Sequence, residues 1–299
     1  MKVGVIGASG IIGHRLVPLL RRQGLQVRSI VRPSKIAPFS DEVVFADLLE
    51  PVSLPEALNG LDVVIHLVTD IPNNFMRGDW HTKDRLRWEP TQNLVNALMR
   101  YRPTCRLVQQ STAMLHSGDT VVEESGELLG KGILSSAVVI EACIQSSSLD
   151  WVILRGGAFY GPGTTQDRDF FKNIASGQLR PPAESGRWIS FIHVEDIASA
   201  FAAAVTLPAQ RCYLASDEHP VTYSDIFVSL NQTQTYVSDC VAQLAPFPSF
   251  RVDASRLRSL GWKIRYSDIF TYLKEIGLLL PIVNLERSNL YSNFTGVHP

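Results

Sequence analysis

The first thirteen residues constrain this chain most. Lys2-Val-Gly-Val-Ile6 is a short apolar run, and it meets Gly7-Ala-Ser-Gly10-Ile-Ile-Gly13 with no spacer. Together they have the form of a buried strand, a tight turn and the start of a helix. Gly7 permits the turn, Gly10 lets the backbone approach a pyrophosphate, and Gly13 lets the helix pack close to the strand. The backbone of Ser9, Gly10, Ile11, Ile12 and Gly13 then faces an anion at the positive end of the helix dipole. Three glycines alone would serve any turn. Their place after an apolar strand, and before Leu16, Leu19 and Leu20 spaced on one helical face, points to a dinucleotide site.

Apolar strands alternate with helical-period segments through roughly the first 160 residues. Val27–Val31, Asp62–Val68, Arg106–Gln110 and Trp151–Leu154 are expected strands; Gly13–Gln23, Pro55–Leu58, Thr91–Met99 and Ser135–Gln145 are expected helices. Uninterrupted apolar strands between helices indicate a parallel sheet covered on both faces. The expected fold is therefore α/β, a Rossmann-type doubly wound parallel sheet over residues 1–160. A smaller C-terminal substrate lobe is expected over 161–299, with some segments returning to the sheet. Pro181, Pro182, Pro208, Pro220, Pro246 and Pro248 punctuate that second part. The apolar run Ile276–Leu285, broken by Pro281, is expected to be a terminal helix docked on the body, too short to span a bilayer.

Composition removes several classes. With 45% apolar residues, 19% charged residues and a formal charge of -1, nothing electrostatic favours nucleic acid or an anionic membrane as a partner. Cys105, Cys143, Cys212 and Cys240 are scattered without a Cys-x-x-Cys pair, so reduced thiols and no metal are expected. With a strand expected to begin at Lys2, no cleavable signal is expected. The expectation is a cytoplasmic monomer or homodimer acting on a small molecule.

The end of the second strand selects the cofactor. An acid there would bond the ribose 2′-hydroxyl, whereas an arginine accommodates a 2′-phosphate. Val31 runs into Arg32-Pro-Ser34-Lys35 with no acid, so NADP(H) is expected in preference to NAD(H). Arg32 would meet the phosphate, helped by Ser34 or Lys35; the alternative is a solvated basic loop. Asp47 stands where an acid would bond the adenine amino group, or else it caps its own loop.

Taken in order, ten segments add up to a family. They are the Gly7/Gly10/Gly13 turn, Asp47-Leu48, Val64-Ile-His-Leu67, Thr91-Gln-Asn-Leu-Val95 and Ser111-Thr-Ala113. Ile153-Leu-Arg-Gly156, Tyr160-Gly-Pro-Gly163, Phe191-Ile-His-Val-Glu-Asp-Ile197, Leu214-Ala-Ser216 and Leu260-Gly-Trp262 complete them. The chain resembles the extended short-chain dehydrogenases/reductases, which include sugar-nucleotide epimerases and dehydratases, through about residue 277. The resemblance adds Leu48 and Leu67 to the cofactor site. It also implies hydride transfer at a nicotinamide, served by a Ser/Thr and a Tyr-x-x-x-Lys pair. In that pair the Tyr moves the proton, while the Lys binds the ribose and lowers the Tyr pKa. Thr112, beside Ser111, stands at the Ser/Thr position. Glu141, an acid the family often carries four residues after the Lys, sets the register and puts Ile133 and Ala137 where Tyr and Lys belong. No tyrosine lies between Tyr101 and Tyr160, and Lys131 is the one lysine in that interval.

Three functions stay open: a reductase that obtains its proton elsewhere, an NADP(H)-binding sensor, scaffold or assembly factor, and an epimerase or dehydratase with a rearranged site. The first is favoured because Thr112, Tyr160-Gly-Pro-Gly163 and a residue-rich loop at 70–90 still surround the expected nicotinamide position. Some ketoreductases of aromatic polyketide pathways are similar in lacking the tyrosine, which implies the carbonyl of a relatively apolar small molecule as substrate. Thr112 would orient that carbonyl. The proton would come from His116, which titrates near neutral pH, from the phenol of Tyr160, or from water or the substrate itself. The competing roles are a loop histidine facing water and a loop anchor. Phe75, Met76 and Trp80 leave the carboxyl edge of the sheet and either line an apolar pocket or pack on the second lobe. Ser135 and Ser136 are further substrate candidates. His193 and Asp196 have the form of structural residues, and Arg168, Arg180 and Arg187 are held in reserve as phosphate partners for a sugar nucleotide.

Overall fold

Seven parallel strands realise the alternation. The computed structural model describes residues 1–68, 80–129, 134–231, 242–243 and 248–279, without the side chains of 80–87 and 242–243. Strands β1 (Lys2–Ile6), β2 (Gln26–Val31), β3 (Glu42–Phe45), β4 (Val63–His66), β5 (Arg106–Thr112), β6 (Asp150–Gly156) and β7 (Arg211–Ala215) form one sheet. Its order is β7-β6-β5-β4-β1-β2-β3, with every neighbouring pair parallel. The winding reverses between β1 and β4, so a crevice opens beyond the carboxyl ends of those strands, where ligands bind in such folds.

Burial on both faces explains why the strands are apolar throughout rather than alternating. Val3 and Val5 pack against Leu16, Val17 and Leu20 of α1 (Ile11–Arg22), and against Ile197 and Phe201 of a later helix over Val194–Ala204. Ile6 and Val64 point to the opposite layer, onto Leu54 and Leu58 of α2 (Leu54–Leu58) and Leu94 and Leu98 of α3 (Trp80–Tyr101). Ile140 and Ile144 of α4 (Ser135–Gln145) complete that layer. Each such fully buried aliphatic side chain stabilises the fold by about 2 kcal/mol.

A separate core gathers the later segments. Phe171 and Ile174 of α5 (Arg168–Ala175) pack in it. After α6 (Val194–Ala204) come α7 (Tyr223–Leu230), α8 (Ser255–Ser259) and α9 (Ile269–Glu275), of which α7 and α9 contribute Phe227 and Leu273. This core rests on Ala113, Met114, Leu115 and Tyr160, just beyond the carboxyl ends of the main sheet. A short strand at Ala158–Tyr160 runs parallel to Phe191–His193 and leads the chain into it.

Two boundaries differ from the expectations. Helix α3 begins at Trp80, so residues 80–90 are helical rather than loop, and Pro90 is carried inside the helix. A proline removes one backbone bond, but here the apolar stripe beyond it is long enough for packing to prevail. Helix α9 ends at Glu275, just before the apolar run 276–285 expected to be helical; Gly277, at φ 72°, supplies the left-handed residue that stops it. Ile276, Leu278 and Leu279 still pack on the second core, and residues 280–285 lie outside the described residues. Among the described residues no helix is long and apolar enough to cross a membrane.

Candidate dinucleotide and substrate site

The glycine turn is a cradle that side chains would fill. Gly7 has φ 86°, and its carbonyl accepts the Gly10 N–H at 2.9 Å. A Cβ on Gly13 would lie 2.4 Å from the Ala8 carbonyl oxygen, and one on Gly10 would lie 3.2 Å from that of Gly7. Gly10 is the N-cap of α1 and supplies no side-chain cap; the first intrahelical bond runs from His14 N–H to Gly10 O at 3.0 Å. The opening turn of α1 therefore keeps N–H groups for an external anion. Leu67 closes the wall: its N–H donates to Ile6 O at 3.0 Å, and its carbonyl carbon would be 3.4 Å from a Cβ on Gly7. Ser9 is half-buried, Ile12 buried and Ile11 exposed. These residues fit a dinucleotide pyrophosphate.

At the far end of β2, Lys35 N–H donates to Arg32 O at 2.9 Å, closing a turn. Arg32, Ser34 and Lys35 are all exposed on it. Asp47 does cap its own loop, accepting the Leu49 N–H at 3.0 Å. Leu48 is buried, and its carbonyl is held by the Asn93 side-chain amide at 2.9 Å.

Thr112 ends β5. Its hydroxyl oxygen accepts the Met114 N–H at 3.3 Å, capping a short turn over Ala113–Leu115, and its O–H remains able to donate. Ser111 is committed, donating to the Glu141 carboxylate. Glu141 and Arg155 form a buried pair: Nε of Arg155 reaches the carboxylate at 3.0 Å and Nη2 reaches it at 2.6 Å.

That pair corrects the expectation for His116, which is buried rather than facing water. A guanidinium only donates, so Nε2 of His116 accepts from Arg155 Nη1 at 2.9 Å. A carbonyl only accepts, so Nδ1–H donates to Glu127 O at 3.2 Å. Burial, then the neighbouring Arg155 charge, lowers the imidazole pKa below its usual 6.5. This neutral, doubly bonded ring has no proton to spare at neutral pH.

Tyr160 is likewise fully buried. Its ring meets those of Phe191, His193 and Tyr272 edge-on, at 5.9, 5.2 and 5.5 Å between centroids. Burial, then the nearby Asp217 carboxyl, raises its pKa far above that of an ordinary phenol. The phenol lies beside Asp217 but outside hydrogen-bond geometry. The structure thus makes Tyr160 a loop anchor, not a proton donor. His193 accepts the Glu195 N–H on Nδ1 at 3.2 Å, capping α6, and burial brings its pKa down to about 3. Asp196 accepts the N–H groups of Arg265 and Tyr266 at 2.9 and 3.0 Å.

Of the substrate candidates, Phe75 and Met76 lie outside the described residues, as do Lys131 and Ile133. Trp80 opens α3, and its side chain is also outside the description. Ser135 and Ser136 begin α4, Ser136 buried and both already engaged in other interactions. Ala137 is half-buried. Arg187 pairs with Glu184, and Arg168 donates to Ile276 O at 3.2 Å. Among the described residues no cluster could hold a metal ion. The partner network around Arg155 was missed, although its signal was present: a charged residue inside the apolar strand 150–156 demands a buried counterion.

A doubly wound sheet with a bare glycine cradle at its first crossover defines a dinucleotide-binding Rossmann protein. Residues 7–207 match the NAD(P)H-binding family, to which this chain belongs. The chain is 35% identical over 237 residues to a 3-diazoavenalumate denitrifying reductase of a Streptomyces species, covering 74% of this chain and 77% of that one. It is 26% identical over 219 residues to a ceramide reductase of Caulobacter vibrioides, covering 72% and 64%. Among solved structures, DesIV, a dTDP-glucose 4,6-dehydratase of Streptomyces venezuelae, superposes with a TM-score of 0.74 at 17% identity, covering 92% and 97%. That likeness is one of fold. The chain is an NAD(P)H-binding protein of oxidoreductase type.

Proposed function

We propose that the chain is an NADP(H)-dependent reductase of a small, relatively apolar carbonyl compound, working in the cytoplasm as a monomer or homodimer. The observation that carries this reading is Thr112. It stands at the end of β5, on the edge of the sheet that holds the glycine cradle, with its hydroxyl proton free to donate to a carbonyl oxygen. Bound NADPH supplies the hydride. Thr112 orients and polarises the acceptor, and the proton comes from water or from the substrate. The open basic turn at Arg32, Ser34 and Lys35 supports the phosphorylated cofactor, and the reductase names of the two relatives support reduction.

A second substrate class is favoured by the relative that acts on a diazo compound. An arenediazonium accepts hydride at carbon and releases dinitrogen: one hydride is consumed, the C–N bond breaks, and no proton is needed. Such chemistry suits a chain without the Tyr-x-x-x-Lys pair. The test is NADPH oxidation with aromatic ketones, quinones, arenediazonium salts and sugar nucleotides. Turnover with one of the first three is expected, lowered about tenfold or more in Thr112→Ala where the substrate is a ketone or quinone. No oxidation above background with any of them would favour the binding-only reading, and a response to sugar nucleotides alone would favour an epimerase or dehydratase. Unchanged kcat/KM in Thr112→Ala would remove Thr112 from the site.

A further inference from the structure

The loop that follows the strand Ala158–Tyr160 is tied down on several sides. Gly161 has φ 105°; its carbonyl accepts both the N–H and the hydroxyl of Thr164, at 3.1 and 2.7 Å, and its N–H donates to Gln166 O at 3.1 Å. The His193 ring fills the space beside it, so that a Cβ on Gly161 would lie 2.4 Å from Nε2. Tyr160, one residue earlier, is buried in the ring cluster. The last tie crosses to the glycine turn. Arg15, one helical turn beyond Ile11 in α1, donates from Nη1 to Ile11 O and from Nη2 to Pro162 O, each at 2.9 Å. Gly163 then faces Ile11, and a Cβ there would be 3.8 Å from Ile11 Cγ1.

We propose that Arg15 is a positioning residue for the dinucleotide, its guanidinium fork bridging the carbonyls of Ile11 and Pro162 to fix the crevice between the glycine turn and the 161–164 loop. Both acceptors are neutral carbonyls, so the tie acts through geometry more than through charge. A planar guanidinium holds two acceptors in a set relation; a lysine ammonium is a point charge on a flexible stem and does not. The loop's own bonds keep its shape, and Arg15 sets where that shape sits relative to the helix start that faces the phosphates. Because the pyrophosphate is common to both cofactors, the effect is blind to the 2′-phosphate. This separates it from any role of Arg32 and from the choice of substrate.

The test is calorimetric titration of Arg15→Ala, Arg15→Lys and Arg22→Ala with NADPH and with NADH, alongside hydrogen exchange of the apoprotein. Arg22, two turns further along α1, lines an outer groove together with Arg15 and controls for loss of a positive charge. Arg15→Ala is expected to weaken both cofactors equally, by about tenfold, the scale of one lost charge-assisted hydrogen bond. Exchange should quicken at 161–166 while β1, β4 and β5 stay protected. Arg15→Lys should remain about threefold weaker than the parent, and Arg22→Ala should stay within about twofold of it. Unchanged affinity in Arg15→Ala, full rescue by Lys, or a loss confined to NADPH would each overturn the proposal, as would faster exchange across the whole sheet. If Arg15→Ala does not fold, Arg15→Lys decides alone, and parental affinity in it refutes the geometric role.

Discussion

Removing the Glu141 carboxylate should be among the costliest single changes near the site. In Glu141→Ala the Arg155 guanidinium loses its bonds at 3.0 and 2.6 Å, and Ser111 loses its acceptor. Arg155 would keep only neutral acceptors, His116 Nε2 at 2.9 Å, Glu124 O at 3.1 Å and the Cys212 sulfur at 3.6 Å. Its side chain is 4% exposed and that of Glu141 1%, so water cannot replace the lost partner. Breaking a buried pair from one side costs about 3–5 kcal/mol, a large share of the roughly 5–15 kcal/mol that holds a domain together. With a urea slope of about 3 kcal/mol/M, the midpoint should fall by about 1–1.7 M. The assay is urea unfolding followed by fluorescence and circular dichroism, whose coincidence checks two-state behaviour. Glu141→Met with Arg155→Met removes both charges at similar volume and should cost less than Glu141→Ala alone. A single-variant cost below about 1 kcal/mol, or additive costs in the cycle, would refute the argument that the pair is buried and coupled.

Two further changes probe cofactor choice and pH response. Arg32→Ala should weaken NADPH by about tenfold or more while moving NADH by less than about twofold, as expected for lost charge-assisted bonds to a 2′-phosphate; equal effects in paired titrations would reject that assignment. Asp217 is buried with both carboxylate oxygens unpartnered among the described residues. Burial, reinforced by Asp196 and Asp268 and opposed by Tyr160, raises its pKa well above 3.8. The folded state therefore holds the proton more tightly than the unfolded chain. This group's contribution is intact below 3.8 and is lost as pH rises toward the folded value, by at most about 1.4 kcal/mol per pH unit. Asp217→Asn should gain stability relative to the parent as pH rises from 4 to 8, and parallel profiles in urea melts at each pH would count against it.

The glycine turn and the central strands were legible because both are local. Gly7, Gly10 and Gly13 sit within one turn of contiguous chain, and β1, β2, β4, β5 and β6 are apolar on both faces, a pattern that needs no knowledge of what packs on them. The edge strand β3 was not legible: Glu42, Val43 and Phe45 are exposed on it, so it lacks the apolar run that marks the others. β7 escaped because Arg211 and Cys212 dilute its apolar half. The partners of polar residues were hidden for a different reason. His116 and Arg155 are 39 residues apart and Glu141 lies between them, and no periodicity encodes such a meeting. A histidine four residues beyond Thr112 has the same local signature whether it faces water or a buried guanidinium.

The chemistry narrows accordingly. His116 and Tyr160 are each held neutral by burial, one by two hydrogen bonds and the other within a cluster of rings, so acid catalysis by either would require exposing a packed group. On the proposed reading, that leaves Thr112 to polarise the acceptor without being its proton source. A simple ketone then depends on water for its proton, a phenolic ketone can draw on its own hydroxyl, and a diazonium needs none. The ordering of rates across those three substrates therefore follows from where the structure has placed its titratable groups, and it separates a reductase that has relocated its acid from one whose substrate makes an acid unnecessary.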